Sequence, residues 1–81
     1  MNYAREQRLR LIDFLLDQYG WVTRKQIIAF FDVSPAGTTR DFRLYKELAP
    51  ANILFNDHTK RYIKTESFKS LFCSDIQDKE I

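Results

Sequence analysis

Residues Ser34 to Pro50 read SPAGTTRDFRLYKELAP and contain the clearest helix signals of the sequence. Ser34 and Pro35 suit the N-cap and N1 positions of a helix, because a serine hydroxyl accepts from a free backbone N–H and proline has no N–H to leave unpaired. Pro50 cannot continue a helix, since its ring clashes with the preceding turn. The stretch therefore predicts a helix that starts at Pro35 and reaches about Ala49.

This predicted helix has two faces when its residues are placed about 100° apart. The inward face is the more apolar one and consists of Thr38, Asp41, Phe42, Leu44, Tyr45, Leu48 and Ala49. The outward face starts with small residues and then carries mostly basic ones, and its members are Ala36, Gly37, Thr39, Arg40, Arg43, Lys46 and Glu47. Because Asp41 points partly inward, we expect it to pair with an arginine on a neighbouring turn and not to act as a catalytic acid.

The outward face has the chemistry of a helix that enters a DNA major groove. The small side chains of Ala36 and Gly37 permit close approach, which would offset the roughly 1 kcal/mol that glycine costs a helix. Thr39 offers a hydroxyl or a methyl group to base edges, and Arg40 and Arg43 can reach guanine O6 and N7 or a phosphate. These five residues are the predicted base-reading set.

Two further helices are predicted before this one. Thr23 and Gln26 have the spacing of a capping box, which predicts a helix from about Arg24 to Phe31. The first helix should run from about Tyr3 to Tyr19 and end at Gly20, because glycine tolerates the left-handed conformation that follows a helix. A tight two-residue turn separates the second helix from the third.

The apolar stripes of these two helices are expected to face a common core. The stripe of the first helix comprises Leu9, Leu11, Ile12, Leu15, Leu16 and Tyr19. The stripe of the second helix comprises Ile27, Ile28, Phe30 and Phe31. Phe14 falls outside the first stripe, so it would cover either the C-terminal segment or a partner subunit.

The pattern changes from helical to alternating after residue 50. Residues 53–55 and 61–63 are short β-prone runs, and the turn-forming residues 56–59 lie between them, which predicts a hairpin. Trp21-Val22 is long enough only for a bridging strand. The order of helices, turn and hairpin predicts a fold that is mainly α with a small β-hairpin, a winged helix-turn-helix of three helices plus a wing.

The C-terminal part of the chain should divide into a packed segment and a tail. Residues 65–72 are expected to return to the core as a short helix or a turn. Residues 73–81 are acidic, and we expect them to fray. The predicted DNA-binding domain therefore occupies residues 1–72.

Positive charge is concentrated in the middle of the chain. The net charge is +2, but residues 21–64 carry eight basic and four acidic side chains, whereas residues 65–81 carry two and four. Free N–H groups at the starts of the second and third helices suit phosphate oxygens, and basic residues at the hairpin tip would reach the neighbouring backbone. The residues predicted to contact the DNA backbone are Thr23, Arg24, Lys25, Ser34, Lys46, Lys60 and Arg61.

Composition and residue types exclude several classes of protein. The 81 residues, of which 44 % are hydrophobic, allow one small folded domain. The sequence has no apolar run near the roughly 20 residues that span a bilayer and no signal-peptide pattern, so we expect a cytoplasmic chain without a membrane partner. Cys73 and His58 are single residues of their types, which leaves no disulfide and no zinc-type ligand set. The sequence predicts no enzyme, metal, cofactor or small-molecule site.

Several segments resemble the N-terminal domain of known transcriptional regulators. Arg40-Asp41-Phe42, after the turn capped by Ser34, is similar to the R-D-L that follows the turn in DeoR-type repressors. Four further segments resemble the winged helix of WYL-domain regulators, especially the CapW/BrxR group associated with phage-defence loci: VSPA at 33–36, ELAP at 47–50, NILF at 52–55 and KRY at 60–62.

This resemblance implies that the third helix is a recognition helix and that the protein is a dimeric repressor acting on an inverted repeat in double-stranded DNA. Regulators of this kind continue into a WYL domain, thought to bind an effector, and a further dimerisation domain, neither of which fits in 81 residues. The chain is therefore expected to be an excised DNA-binding domain or a stand-alone small regulator, with a homodimer as one assembly open to it.

A second interpretation keeps the winged fold but assigns it to protein–protein contact without DNA. Apolar residues in excess of the needs of the core, such as Phe14, Phe42 and Leu54, would then line a groove for a partner. A partner complex that is insensitive to salt would distinguish this function from DNA binding, whose affinity falls as salt rises.

Overall fold

The computed structural model describes residues 2–72, and in this part of the chain it contains three helices and one three-stranded sheet. The helices are α1 (Tyr3–Tyr19), α2 (Arg24–Phe31) and α3 (Pro35–Leu48), and the strands are β1 (Trp21–Val22), β2 (Ile53–Asn56) and β3 (Arg61–Lys64). These elements confirm the predicted fold class of three helices plus a small hairpin. The predicted fraying tail, residues 73–81, lies outside the described residues.

Local capping interactions fix the ends of the helices. Gly20 ends α1 in the left-handed conformation with φ 84°, and its N–H donates to the Leu16 carbonyl at 3.0 Å. Thr23 and Gln26 form the predicted capping box, in which the Thr23 N–H donates to Gln26 Oε1 at 2.7 Å. Ser34 Oγ accepts the Gly37 N–H at 3.0 Å. Each cap satisfies a backbone group that the helix itself leaves unpaired.

A turn centred on Asp32 sets the relative direction of α2 and α3. Asp32 adopts the left-handed conformation with φ 55°, which aspartate tolerates better than most residues. Its N–H donates to the Ile28 carbonyl at 2.8 Å and so ends α2. The chain then restarts at Ser34 after a single intervening residue, which gives the tight helix-turn-helix connection.

The sheet joins the hairpin to the segment between α1 and α2. The strand order is β1-β3-β2, with both pairs antiparallel and Val22 opposite Tyr62. The Phe42 ring from α3 stacks on Tyr62 with ring centroids 4.0 Å apart. The wing formed by β2 and β3 is therefore held against both the N-terminal strand and α3.

The core lies where α1, α2, α3 and the sheet meet. Its buried apolar residues are Leu9, Ile12, Leu16, Val22, Ile27, Phe42, Tyr45, Ala49 and Ile53. The stripes predicted from periodicity are too wide at three positions, since Tyr19, Phe30 and Leu48 are 67 %, 71 % and 48 % exposed. Tyr19 and Leu48 are the last residues of their helices, and Phe30 is next to last, so these side chains extend beyond the edge of a small core.

Residues 65–72 pack on the core as turns and contain no helix, which selects one of the two predicted alternatives. Phe68, Leu71 and Phe72 are half-buried against the core cluster. Phe14 lines a pocket beside this segment together with Phe72 and remains 53 % exposed. Within residues 2–72, none of the helices has both the length and the apolar character needed to cross a bilayer.

Candidate nucleic-acid interface

The outward side of α3 exposes the two arginines of the predicted base-reading set. Arg40 and Arg43 are both exposed, as is Ala36 at the start of the helix. Among residues 2–72, neither arginine forms a hydrogen bond or an ion pair, so their guanidinium N–H groups are available to a ligand. Lys46, one turn further on, is exposed as well. This side of α3 therefore presents three cations one after another.

The Thr39 hydroxyl both donates and accepts a hydrogen bond within the domain, which the sequence did not indicate. Its hydroxyl donates to the Pro35 carbonyl at 3.1 Å and accepts from Arg24 Nη1 at 3.0 Å. A serine or threonine hydroxyl has one proton to donate. Thr39 therefore cannot donate to a base without releasing Pro35, whereas its methyl group stays available.

The space around Gly37 favours a glycine independently of any close approach to DNA. A Cβ built at this position would lie 3.2 Å from Ser34 Oγ, the atom that caps the helix through the Gly37 N–H. A larger residue would press on the cap and require the serine side chain to shift. Glycine at position 37 therefore leaves the Ser34 cap in place.

A polar crevice joins the start of α2 to the tip of the wing. It has a volume of about 210 Å³ and is lined by Thr23, Arg24, Lys25, Thr59 and Lys60. Four of these residues are predicted backbone contacts, taken from two segments more than 30 residues apart in the chain. Lys60 Nζ also lies 3.0 Å from Asp57 Oδ1. Both side chains are largely exposed, so this ion pair is weak and a phosphate can displace Asp57 from Lys60.

The remaining predicted backbone contacts lie in different surroundings. The Arg61 guanidinium stacks over the Trp21 ring at 4.0 Å from its centroid, so Arg61 is held against β1 instead of projecting freely from the wing tip. Ser34 Oγ accepts the capping hydrogen bond and keeps its hydroxyl proton. Stacking leaves the edge of a guanidinium open to a phosphate.

A buried ion pair fixes α3 on α1 behind this surface. The Asp41 side chain is fully buried, and Arg8 Nε donates to Asp41 Oδ2 at 2.5 Å. Arg5 Nε lies 3.6 Å from the other Asp41 oxygen. The structural role predicted for Asp41 is thus found, but the prediction of a partner on a neighbouring turn is wrong, because the arginines come from another helix.

A second buried network is absent from the sequence-based prediction. Tyr45 Oη donates to Asp13 Oδ1 at 2.5 Å, and the Leu71 N–H donates to the same oxygen at 3.0 Å. Ser70 Oγ donates to the other Asp13 oxygen. Burial, with the nearby Asp13 carboxylate, raises the pKa of Tyr45 far above its ordinary value. No local pattern could have identified this network, because it joins residues up to 58 positions apart.

Asn52 extends this network to the loop before the wing. Its side-chain Nδ2 donates to Tyr45 Oη at 3.2 Å and to the Lys69 carbonyl at 2.7 Å. The Lys69 N–H donates back to Asn52 Oδ1 at 2.9 Å. The network therefore ties the C-terminal segment, the loop and α1 to one residue of the third helix.

Apolar residues form a separate exposed surface on α1 and α2. A groove of about 540 Å³ is lined by Leu11, Phe14, Leu15, Tyr19, Gln26, Ala29 and Phe30. Of the three residues predicted to line a partner groove, Phe14 belongs to this surface and Leu54 is 63 % exposed elsewhere. The prediction for Phe42 is wrong, because its ring is 2 % exposed and stacks on Tyr62 inside the domain.

The arrangement of these elements defines the class of the protein. A helix-turn-helix pair whose second helix has an exposed basic side, followed by a β-hairpin packed beside it, is a winged helix-turn-helix domain. In residues 2–72 there is no group of three or more His, Cys, Asp or Glu side chains placed to hold a metal ion.

The chain belongs to the family described as the BrxR transcriptional regulator winged helix-turn-helix domain, whose sequence model matches residues 4–80. It is 33 % identical over 73 residues to a protein from Pseudomonas aeruginosa named DNA-binding transcriptional repressor CapW, which covers 90 % of this chain. A protein of the same name from Stenotrophomonas maltophilia is 30 % identical over 71 residues, or 88 % of this chain. These matches confirm the resemblance found in the sequence.

The matched region is a small part of each relative. In both of these repressors it covers 24 % of the relative's own length. A third relative of the same name, from Escherichia coli, is 29 % identical over 71 residues and has the same 24 % coverage. The chain thus spans about a quarter of the length of the curated relatives it matches.

Proposed function

We propose that this chain binds double-stranded DNA as the DNA-binding domain of a transcriptional repressor, with α3 in the major groove. The observation that carries the proposal is the crevice in which Arg24 and Lys25 from α2 meet Lys60 from the wing, beside a helix whose two arginines are unpaired within the described residues. A phosphate backbone that runs along a major groove would pass both a helix start and a wing in this way.

Base readout is assigned to the outward side of α3. Arg40 and Arg43 have free guanidinium groups suited to guanine O6 and N7. Ala36 and Gly37 bring the helix backbone close to the base edges, and Thr39 presents its methyl group. Hydrogen bonds and ion pairs carry this recognition, so it requires neither a metal nor a cofactor.

Backbone contacts are assigned to the crevice and its neighbours. Thr23, Arg24, Lys25 and Lys60 surround a space into which a phosphate oxygen can enter. Ser34, Lys46 and Arg61 would contact phosphates on either side of that position. Such contacts release counterions from the DNA, so affinity should fall steeply as salt rises.

Repression is proposed from the relatives, which are named as repressors. Two-fold assembly on an inverted repeat is a further part of the proposal, because one winged helix alone covers only half of such a site. A single winged helix reads one half-site, and a dimer links two half-sites by effective concentration. Association with DNA in the cytoplasm and a role at phage-defence loci belong to the same proposal.

The test is selection from a pool of random duplexes at two salt concentrations, followed by sequencing of the retained DNA. Enrichment of an inverted repeat with strong salt dependence would support both base readout and dimer formation. Enrichment of a single half-site would support DNA binding and place the dimer contacts outside this chain. If no duplex is retained at low salt, the proposed function is wrong.

A protein partner is a second candidate function, favoured by the apolar groove between α1 and α2. Its most exposed ring belongs to Phe30, which is 71 % exposed and touches Phe31 at 5.0 Å between centroids. A partner complex that persists at high salt and tolerates the double substitution Arg40→Ala, Arg43→Ala would support this function. Loss of the complex in that double variant would exclude the groove as its site.

A further inference from the structure

The side chain of Arg24 is attached to the third helix. Although Arg24 is the first residue of α2, its Nη1 donates to Thr39 Oγ1 at 3.0 Å, and that hydroxyl donates to the Pro35 carbonyl at 3.1 Å. The guanidinium is thereby connected through one hydroxyl to the first turn of α3. Thr39 lies on the face proposed to read bases, so the anchor brings the guanidinium to that face.

The neighbouring lysine provides a contrast. Lys25 also lines the crevice and is exposed, and within residues 2–72 its ammonium group makes no hydrogen bond or ion pair. An unanchored lysine is a mobile point charge that suits a phosphate in any sequence. The two adjacent cations at the start of α2 are therefore held differently, and only one of them is directed to α3 by a described contact.

The first turn of α3 leaves room for a long side chain from elsewhere. Its outward residues Ala36 and Gly37 have no functional group that can reach a base edge, and the Thr39 hydroxyl proton is already used. A guanidinium has five N–H donors, of which the bond to Thr39 uses one. The remaining donors of Arg24 can supply the base contact that these small residues cannot make.

We propose that Arg24 is a specificity-determining residue that contacts a base edge beside the first turn of α3, and that Thr39 is the positioning residue that holds it there. This inference rests on the proposed function and changes one of its assignments, since Arg24 was placed there among the backbone contacts. Guanine is the expected base, because its O6 and N7 accept two parallel N–H groups.

The experiment uses the duplex that the chain itself selects and a set of duplexes that each carry one changed base pair. Four single variants are compared with the parent, Arg24→Ala, Thr39→Val, Thr39→Ser and Lys25→Ala, together with the double variant that combines Arg24→Ala with Thr39→Val. Thr39→Val keeps the shape but removes the hydroxyl, whereas Thr39→Ser keeps the hydroxyl and removes the methyl group. Urea unfolding of each variant checks that the domain is intact.

The readout is discrimination, meaning the ratio of affinities for the selected and the changed duplex. Arg24→Ala and Thr39→Val should each lower it about 5-fold or more at the same base pair, as expected for loss of a bidentate contact. The double variant should lose no more than Arg24→Ala alone, because both changes remove one contact. Thr39→Ser should keep discrimination at that base pair, and Lys25→Ala should weaken all duplexes equally and reduce the salt slope.

The inference is overturned if Arg24→Ala weakens every duplex by the same factor and leaves discrimination unchanged, since Arg24 would then contact phosphate only. It is also overturned if Thr39→Val and Arg24→Ala affect different base pairs. In both cases the parent still selects DNA, so the proposed function stands. If the parent selects no sequence, the proposed function fails and the inference fails with it.

Discussion

The inward and outward sides of α3 both carry polar side chains, but only the inward polar groups all have hydrogen-bond or ion-pair partners within the domain. On the inward side Thr38, Asp41 and Tyr45 are buried, and each bonds to a group within the domain. On the outward side Arg40 and Arg43 are exposed and have no bonded partner within residues 2–72. The same helix therefore combines an inward side whose buried polar side chains are paired with an outward side whose guanidinium donors remain available.

This difference between the two sides of α3 shows how a small domain can hold a binding surface in a fixed orientation. Buried polar groups must find partners, since an unpaired buried group costs roughly 1–3 kcal/mol. The partners of Asp41 and Tyr45 lie on α1 and, through Asn52, in the loop before the wing, so pairing also fixes the direction of the helix. The outward side can then hold free cations without loss of stability, because water solvates them.

Breaking the buried ion pair should produce the largest effect on stability. Asp41→Ala leaves the mostly buried Arg8 guanidinium without its carboxylate, so the free energy of unfolding should fall by about 3 kcal/mol. Urea unfolding monitored by circular dichroism measures this change. A double variant, Arg8→Met with Asp41→Ala, is the matched control and should recover part of the loss. A loss below about 1 kcal/mol in Asp41→Ala would contradict the role given to this pair.

Removing the Tyr45 hydroxyl from the second buried network should lower the free energy of unfolding by less than Asp41→Ala does. Tyr45→Phe keeps the ring in the core but deprives Asp13 of one of its donors and Asn52 of an acceptor, so unfolding should become easier by about 2 kcal/mol. The exposed Tyr19→Phe serves as the control and should change stability by less than about 0.5 kcal/mol. Equal effects at the two tyrosines would show that the network adds nothing.

The same tyrosine predicts a pH dependence at high pH. Burial raises the pKa of Tyr45 above its ordinary value of 10.0, so above that pH the unfolded chain loses a proton that the folded chain keeps. This contribution to stability is complete below pH 10.0 and declines as pH rises, by up to about 1.4 kcal/mol per pH unit. Urea unfolding at pH 8 to 11 should show a steeper decline for the parent than for Tyr45→Phe, and parallel curves would contradict it.

Changing the exposed apolar groove should have the smallest effect. Phe30→Ala removes a ring that is 71 % exposed, so the free energy of unfolding should change by less than about 1 kcal/mol. Affinity for the selected duplex should equal that of the parent, because Phe30 belongs to neither the outward side of α3 nor the crevice. A loss of DNA affinity in this variant would place the groove within the DNA interface, so the outward side of α3 and the crevice would not be the whole binding surface.

Most of the fold could be predicted because the signals that set its boundaries are local. Ser34-Pro35, Gly20 and the Thr23–Gln26 box each act within four residues, and the structure has the corresponding helix ends. The wing could be predicted from the change to an alternating hydrophobic pattern after residue 50 and from the turn-forming residues 56–59. The base-reading and backbone residues remain predictions, but the structure places Arg24, Lys25 and Lys60 around one crevice.

The features that sequence reasoning missed depend on long-range contacts or on the limits of the core. The partners of Asp13 lie 32 to 58 positions away, and Arg8 lies 33 positions from Asp41. Periodicity placed Tyr19 and Phe30 toward the core, but it has no information on where a small core ends. The bond between Arg24 and Thr39 spans 15 residues and depends on the angle between α2 and α3.

The most direct test of α3 as the base-reading surface compares Arg40→Ala with Lys60→Ala on the selected duplex and on a scrambled duplex across a range of salt concentrations. Arg40→Ala should lose about 1–3 kcal/mol of binding free energy on the selected duplex and should relax specificity. Lys60→Ala should weaken both duplexes alike and flatten the salt dependence. If Arg40→Ala binds the selected duplex as the parent does, the outward side of α3 is not the reading surface.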